Sequence, residues 1–139
     1  MKAATGLFLA ILAGGCTSEP APLVTVTDAR VTALPRSASV YFTLANSGGR
    51  DRLLSVDAGA VGKASLHETS MDGDMMRMRT LDSGIEIPER GQVRLAASGK
   101  HVMIAEMPEP LVTGSIVRMT LRLERQGEIA INAPVAGPR

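Results

Sequence analysis

The chain has few aromatic residues, one cysteine and no long apolar run, and each shortage excludes something. Its 139 residues contain one Tyr, two Phe and no Trp, so the core must be built mainly from aliphatic side chains. A single cysteine, Cys16, cannot form a disulfide within the chain. No segment approaches the ~20 apolar residues of a membrane-spanning helix. The formal net charge of +1 implies no nucleic acid or other polyanionic partner.

The chain begins with MKAATGLFLAILAGGC, which has the basic, apolar and small-residue order of a secretory signal. LAGGC resembles a bacterial lipobox, so we expect a signal peptide over residues 1–15 and lipidation of Cys16. A tether over 16–22 would follow. These features predict a periplasmic or otherwise extracytoplasmic, lipid-anchored protein. Thr17 replaces the Asp that retains many lipoproteins at the inner membrane, which favours the outer membrane; the alternative is a secreted protein with an incidental cysteine.

The rest of the chain predicts one all-β domain over residues 23–135, with a short tail over 136–139. Segments such as ASVYFTLAN and SIVRMTLRL alternate apolar and polar residues, as strands do. Turn signals recur about every eight to twelve residues, and no segment has a helical pattern. Gln126-Gly127 lies between two alternating runs and marks a hairpin. This organisation predicts a Greek-key β-sandwich or small barrel.

Four of the eight methionines, Met71, Met75, Met76 and Met78, lie in the polar segment LHETSMDGDMMRM. A methionine usually fills a core, as we expect for Met119, but core residues seldom gather at a polar hairpin tip. If Asp72-Gly73 forms a tight turn, His67 lies opposite Met78, and Met71 and Met76 share their face.

The second histidine lies in KHVMIAEM, where His101 and Met103 are two residues apart and point the same way in a strand. Met107 has the same parity if the strand continues that far. Imidazole and thioether without thiolate or carboxylate form a soft, neutral ligand set, which favours Cu(I) over Zn(II), Mg(II) or Ca(II). A blue-copper site is disfavoured because it requires a cysteine thiolate.

Around HETSMDGDMMRMR and GKHVM the sequence resembles the periplasmic copper(I) chaperones of the PCuAC type. Their pattern is a His, ten residues, a Met, about twenty-one residues, and then His-x-Met. His67 and Met78 fit the first spacing, and one extra residue, in the LDSG turn, precedes His101. The resemblance covers roughly residues 23–135.

The resemblance implies a cupredoxin-like sandwich that binds one Cu(I) through His67, Met78, His101 and Met103. It also implies delivery of copper to a respiratory oxidase, with an oxidase subunit or a thiol-containing assembly factor as acceptor. We expect the protein to be a monomer. Met71, Met75 and Met76 would be auxiliary ligands or a hydrophobic cover. We find no convincing nucleophile and base, so an enzyme is not expected. Two alternatives remain: a non-catalytic lipoprotein interaction domain, and a copper-scavenging or tolerance protein.

Overall fold

The computed structural model describes residues 19–137, so the predicted signal peptide, Cys16 and the last two residues lie outside the described part. Within it, ten strands account for the regular structure, apart from a single 3₁₀ turn at Gly59–Val61. The strands are β1 Val24–Ala33, β2 Ala38–Asn46, β3 Asp51–Asp57, β4 Lys63–Asp72, β5 Met75–Thr80, β6 Ile85–Ile87, β7 Gln92–Arg94, β8 Lys100–Ala105, β9 Ile116–Leu123 and β10 Gly127–Ala136. Residues 19–137 include no helix with the length and hydropathy needed to span a bilayer.

The strands follow one hydrogen-bonded order, β5-β4-β8-β2-β1-β10-β9-β3-β6, with β7 paired to β2. All pairs are antiparallel except β1 and β10, which run parallel where Val31 faces Val135. Although β3 and β4 are far apart in this order, they contact each other, because the order folds over a shared core. The result is the all-β, cupredoxin-like sandwich that the sequence predicts.

The core is formed by the alternate residues of strands from both halves of the order. In β2 every second residue is buried. One of these residues is Phe42, which is 1% exposed. Met119 in β9 is 1% exposed, which confirms the prediction that it packs in the core. Tyr41, adjacent to Phe42, therefore points to the opposite side of the sheet.

One predicted turn is corrected, and one alternating segment is divided between two strands. The segment IEIPERGQVRL forms two strands, because β6 pairs with β3 while β7 pairs with β2. The predicted β9–β10 hairpin exists, but its loop comprises residues 124–126, since Leu123 already faces Gly127. This pairing places Gly127 at the end of the loop rather than in its centre, where its φ of 95° is one that glycine adopts readily.

Candidate metal centre

Two histidines face each other across neighbouring strands on the outer side of the sandwich. β8 lies between β2 and β4, and its pairing with β4 sets His101 directly opposite His67. The two imidazole rings are 6.0 Å apart at their centroids, with an interplanar angle of 21°. Leu66 and Val102, the neighbours of these histidines in sequence, are buried on the core side. The strand period therefore directs both imidazoles away from the core.

The hydrogen bonds of the two rings differ. Nδ1 of His101 lies 3.0 Å from the carbonyl oxygen of Gly99, and since a carbonyl only accepts, Nδ1 carries the proton. In the neutral ring, Nε2 is then left with a free lone pair. Nε2 of His67 instead lies 2.7 Å from the hydroxyl of Ser65. One histidine is thus oriented with a free ring nitrogen, and the other has that nitrogen engaged.

Met103 extends the same face by one step along β8. It faces Ser65 of β4 on one side and Ser39 of β2 on the other. Because it is two residues from His101, its side chain points to the same side of the sheet, about 7 Å along the strand. Met103 is half-buried, so the structure brings His67, His101 and Met103 onto one surface.

Met78 shares this face, but the predicted hairpin register is wrong. The two central turn residues are Gly73 and Asp74, and His67 faces Thr80, while Met78 faces Thr69. Gly73 has a φ of 64° and Asp74 a negative φ, the combination of a turn with glycine at its first central position. The correction shifts the pairing by two residues, so Met78 stays on the His67 face as a diagonal neighbour.

The remaining methionines separate by side of the sheet. Met71 and Met76 face each other directly and share the His67 side. Met75 faces Asp72 on the opposite side, so it does not converge with the histidines. Met107 lies beyond the end of β8 and is packed against the core.

Burial changes steadily across this surface. His101 is only 3% exposed, whereas Met78 is 51% exposed, and His67 lies between them in the middle of β4. Burial lowers the pKa of His67, and the neighbouring charge of His101 lowers it further. Both effects disfavour the protonated imidazolium and so favour the neutral ring that binds metals.

The opposite side of the same three strands carries charge. Glu68 forms ion pairs with Arg79 of β5 at 2.9 Å and with Lys100 of β8 at 3.8 Å. The hydrogen bond from Arg79 is the main reason that the pKa of Glu68 is lowered. The Glu68–Lys100 pair thus links the strands that carry His67 and His101, on the side of the sheet opposite to the two imidazoles.

Four residues of this surface were not among the predicted site residues. The ring of Tyr41 packs against His101 with centroids 6.4 Å apart, and the guanidinium of Arg30 lies 5.2 Å above the Tyr41 ring. Ser65 and Gly99 supply the hydrogen bonds to the two imidazoles. The His-x-Met spacing carries no signal for them, because each contact depends on which strands are neighbours.

Within residues 19–137, no three His, Cys, Asp or Glu side chains are grouped so that they could hold a metal ion. The nitrogen and sulfur donors on the outer face of β4, β5 and β8 are His67, His101, Met103, Met78, Met71 and Met76. These donors are thioethers and imidazoles, and soft donors of this kind select Cu(I) over hard cations.

Comparison with known proteins identifies one family and a set of similar folds. The family described as "Putative lipoprotein LpqE-like" matches residues 24–135. A curated relative, "Putative lipoprotein Lxx21020" of Leifsonia xyli subsp. xyli, is 29% identical over 91 residues, which cover 65% of this chain and 55% of the relative. The chain therefore spans about half the length of that relative.

Solved structures share the fold. The copper-bound PCuAC domain from PmoF2 matches with a TM-score of 0.67 and 24% identity, covering 83% of this chain and 93% of the domain. The solution structure of CuI-DR1885 from Deinococcus radiodurans matches with a TM-score of 0.63 and 26% identity, covering 88% and 83%. These matches confirm the resemblance to the PCuAC type that the sequence predicts.

Proposed function

Since the chain belongs to the LpqE-like lipoprotein family and has the PCuAC fold, we propose that it is a lipid-anchored, extracytoplasmic carrier of Cu(I). The ion is cargo in this proposal, and the protein holds and releases it without catalysing a reaction. The proposed ligands are His67, His101, Met103 and Met78. Similarity to copper-bound and CuI-bound structures supports the choice of metal.

The observation that carries the proposal is the pairing of His67 with His101 on one outer face. With a metal–nitrogen distance of about 2 Å, two imidazoles that share an ion have centroids up to ~6 Å apart. The observed separation is 6.0 Å, so both rings can reach one ion by side-chain rotation. The hydrogen bond from Nδ1 of His101 to Gly99 orients the ring with Nε2 free, as in many metal-binding histidines.

The exposure of the ligands supports transfer rather than permanent storage. Met78 on the edge strand β5 is half exposed, and Met103 is half-buried, while His101 is covered. A partner could therefore replace the outer thioethers first and the inner imidazole last. A carrier needs this accessibility, because ligand exchange requires that donor and acceptor groups meet around one ion.

The acceptor that we propose is a respiratory oxidase subunit or a thiol-containing assembly factor. A thiolate binds Cu(I) more strongly than a thioether does, so transfer from Met78 and Met103 to cysteines would be downhill. Anchoring through Cys16 and the outer membrane location remain predictions, which metabolic lipid labelling and membrane fractionation test directly.

Two other functions use parts of the same surface. A protein-interaction domain is favoured by the exposure of Met71, Met76 and Met78 on this face, since methionine adapts readily to different partners. That function requires no copper affinity. A scavenging or tolerance protein would bind copper equally well and would differ only in having no acceptor.

The deciding experiment is an anaerobic titration with Cu(I) against a competing chromophoric chelator. We expect one tightly bound equivalent for the protein and weaker binding for His67→Gln and Met103→Leu. Changes to groups that only support metal ligands cost about 10–100-fold in affinity, so loss of a direct ligand should cost at least that much.

Met75→Leu provides the matched control, because Met75 lies on the same hairpin with its side chain on the other face. Its affinity should equal that of the parent. Equal and weak Cu(I) binding by all four proteins would exclude the copper carrier and favour the interaction domain.

A further inference from the structure

The end of the β4–β5 hairpin extends beyond the strands that support the histidines. Thr69 makes the last backbone hydrogen bond toward the β8 side, with its N–H donating to the carbonyl of Gly99 at 3.0 Å. Beyond Thr69, over residues 70–77, the end of β4 and the start of β5 pair only with each other. This two-stranded segment is exposed throughout, so its side chains are accessible to ions and proteins.

The two faces of this segment have different chemistry. On one face, Asp72 forms an ion pair with Arg77 at 3.2 Å, on the same side of the sheet as the Glu68–Arg79 pair. On the other face, Met71 lies directly opposite Met76, and Met78 follows on the same side opposite Thr69. The charged strand residues beyond Thr69, Asp72 and Arg77, are thus on one side, and the other side presents three thioethers.

These three methionines are exposed to a degree that packing does not explain. Met71 is 64% exposed and Met76 is 73% exposed, so neither buries enough apolar surface to stabilise the fold appreciably. Directly opposed residues have Cβ atoms about 5 Å apart, and diagonal ones ~7–8 Å. Because methionine is long and flexible, three sulfur atoms at these positions can contact one ion.

We propose that Met71, Met76 and Met78 form a second, weaker Cu(I) site that receives the ion and passes it to the histidines. Thioethers alone form a soft, neutral donor set that selects Cu(I). Along the strands, the Met71–Met76 pair, Met78 and His67 follow one another in steps of two residues, or about 7 Å. Met78 belongs to both sites and connects them.

The passage to the histidines rests on the proposed function, whereas binding by the three methionines does not. The test therefore uses a His67→Gln/His101→Gln variant, which removes the nitrogen donors. In an anaerobic Cu(I) titration with a weak competing chelator, this variant should still bind one equivalent. Adding Met71→Leu and Met76→Leu should weaken that binding by about tenfold or more.

Met75→Leu in the same histidine-free variant is the matched control, because Met75 is 64% exposed, as Met71 is, but lies on the charged face. It should leave the remaining equivalent unchanged. In NMR spectra of labelled methionine methyl groups, Cu(I) should shift the signals of Met71, Met76 and Met78 but not that of Met75. Amide spectra of each variant verify that the fold is intact.

The possible results separate this inference from the carrier function. If the histidine-free variant binds no Cu(I), or if Met75→Leu is as damaging as the paired change, the second site is overturned. The carrier function would survive that result if the Met71→Leu/Met76→Leu protein with both histidines still binds one equivalent tightly. A parent protein that binds no Cu(I) at all would overturn both.

Discussion

The hydroxyl of Ser65 lies 2.7 Å from Nε2 of His67. Whichever group donates this hydrogen bond, Nε2 is not free to bind a metal while the bond lasts. Copper binding through Nε2 must therefore displace Ser65, and the energy of the hydrogen bond opposes binding.

We predict that Ser65→Ala binds Cu(I) more tightly than the parent. A net hydrogen bond contributes about 0.5–1.5 kcal/mol, which corresponds to an affinity gain of roughly two- to tenfold. Competition titrations of both proteins measure the gain. Ser39→Ala is the control, since Ser39 faces Met103 from the other side of β8 and should have no such effect. Weaker binding by Ser65→Ala would mean that the hydroxyl supports the bound state instead.

The stability of the copper-free protein should depend on the protonation of His67. Burial is the main cause of its lowered pKa, followed by the charge of His101. The folded state therefore resists a proton that the unfolded state accepts near its ordinary pKa of about 6.5. Protonation of His67 therefore costs no unfolding free energy above this pH. As the pH decreases from there toward the lowered pKa of His67 in the folded state, the unfolding free energy falls.

This dependence gives two measurable outcomes. Thermal unfolding should show a lower Tm at pH 5 than at pH 7.5, and His67→Gln should reduce the difference. An NMR titration of the His67 ring in His101→Gln should give a pKa closer to the ordinary value, but still lowered, because burial remains. A His67 pKa at or above 6.5 in the parent would contradict the prediction.

The side of the sheet that each site residue faces could be predicted from the sequence, because side chains alternate between the two sides along a strand. The observed hairpin pairs His67 with Thr80, two residues away from the predicted partner Met78. Because side chains alternate between the two sides of a strand, a shift of two residues leaves every side chain on its predicted side. His67, Met71, Met76 and Met78 were therefore assigned correctly to one face. A shift of one residue would have reversed that assignment.

The neighbours of the histidines could not be predicted in this way, because they depend on strand order. Nothing in GKHVM indicates that β8 lies between β2 and β4, which is what brings Tyr41 and Ser65 to the two imidazoles. The exact turn was equally ambiguous. Asp-Gly and Gly-Asp both occur in DGD, and both are acceptable central pairs of a hairpin turn.

Truncating a core methionine should destabilise the protein far more than truncating a hairpin methionine. Met119 is 1% exposed, so Met119→Ala removes buried surface, leaves a cavity and should cost about 2–5 kcal/mol of unfolding free energy. Met76→Ala at an exposed position should change stability by no more than about 0.5 kcal/mol. Chemical denaturation compares the two. Equal destabilisation would show that the hairpin methionines are packed in solution.

The segment before β1, residues 19–22, lies so close to Gly49 that only a glycine fits at this position. The N–H of Gly49 donates to the carbonyl of Ala21 at 3.0 Å, and Arg125 donates to the carbonyl of Pro20 at 3.2 Å. A Cβ on Gly49 would collide with the Pro20 carbonyl oxygen. Residues 19–22 could not keep this position beside an alanine.

Gly49→Ala should therefore release the segment before β1 and destabilise the protein by roughly 0.5–3 kcal/mol. The released segment should be cleaved faster in limited proteolysis, and the Gly49–Arg50 amides should exchange hydrogen faster. Gly99→Ala is the control, because a Cβ there meets no atom within 4 Å. Cu(I) affinity should be unchanged in Gly49→Ala, since the segment before β1 contributes none of the proposed ligands. A stable, protease-resistant Gly49→Ala protein would show that residues 19–22 are not held against the domain in solution.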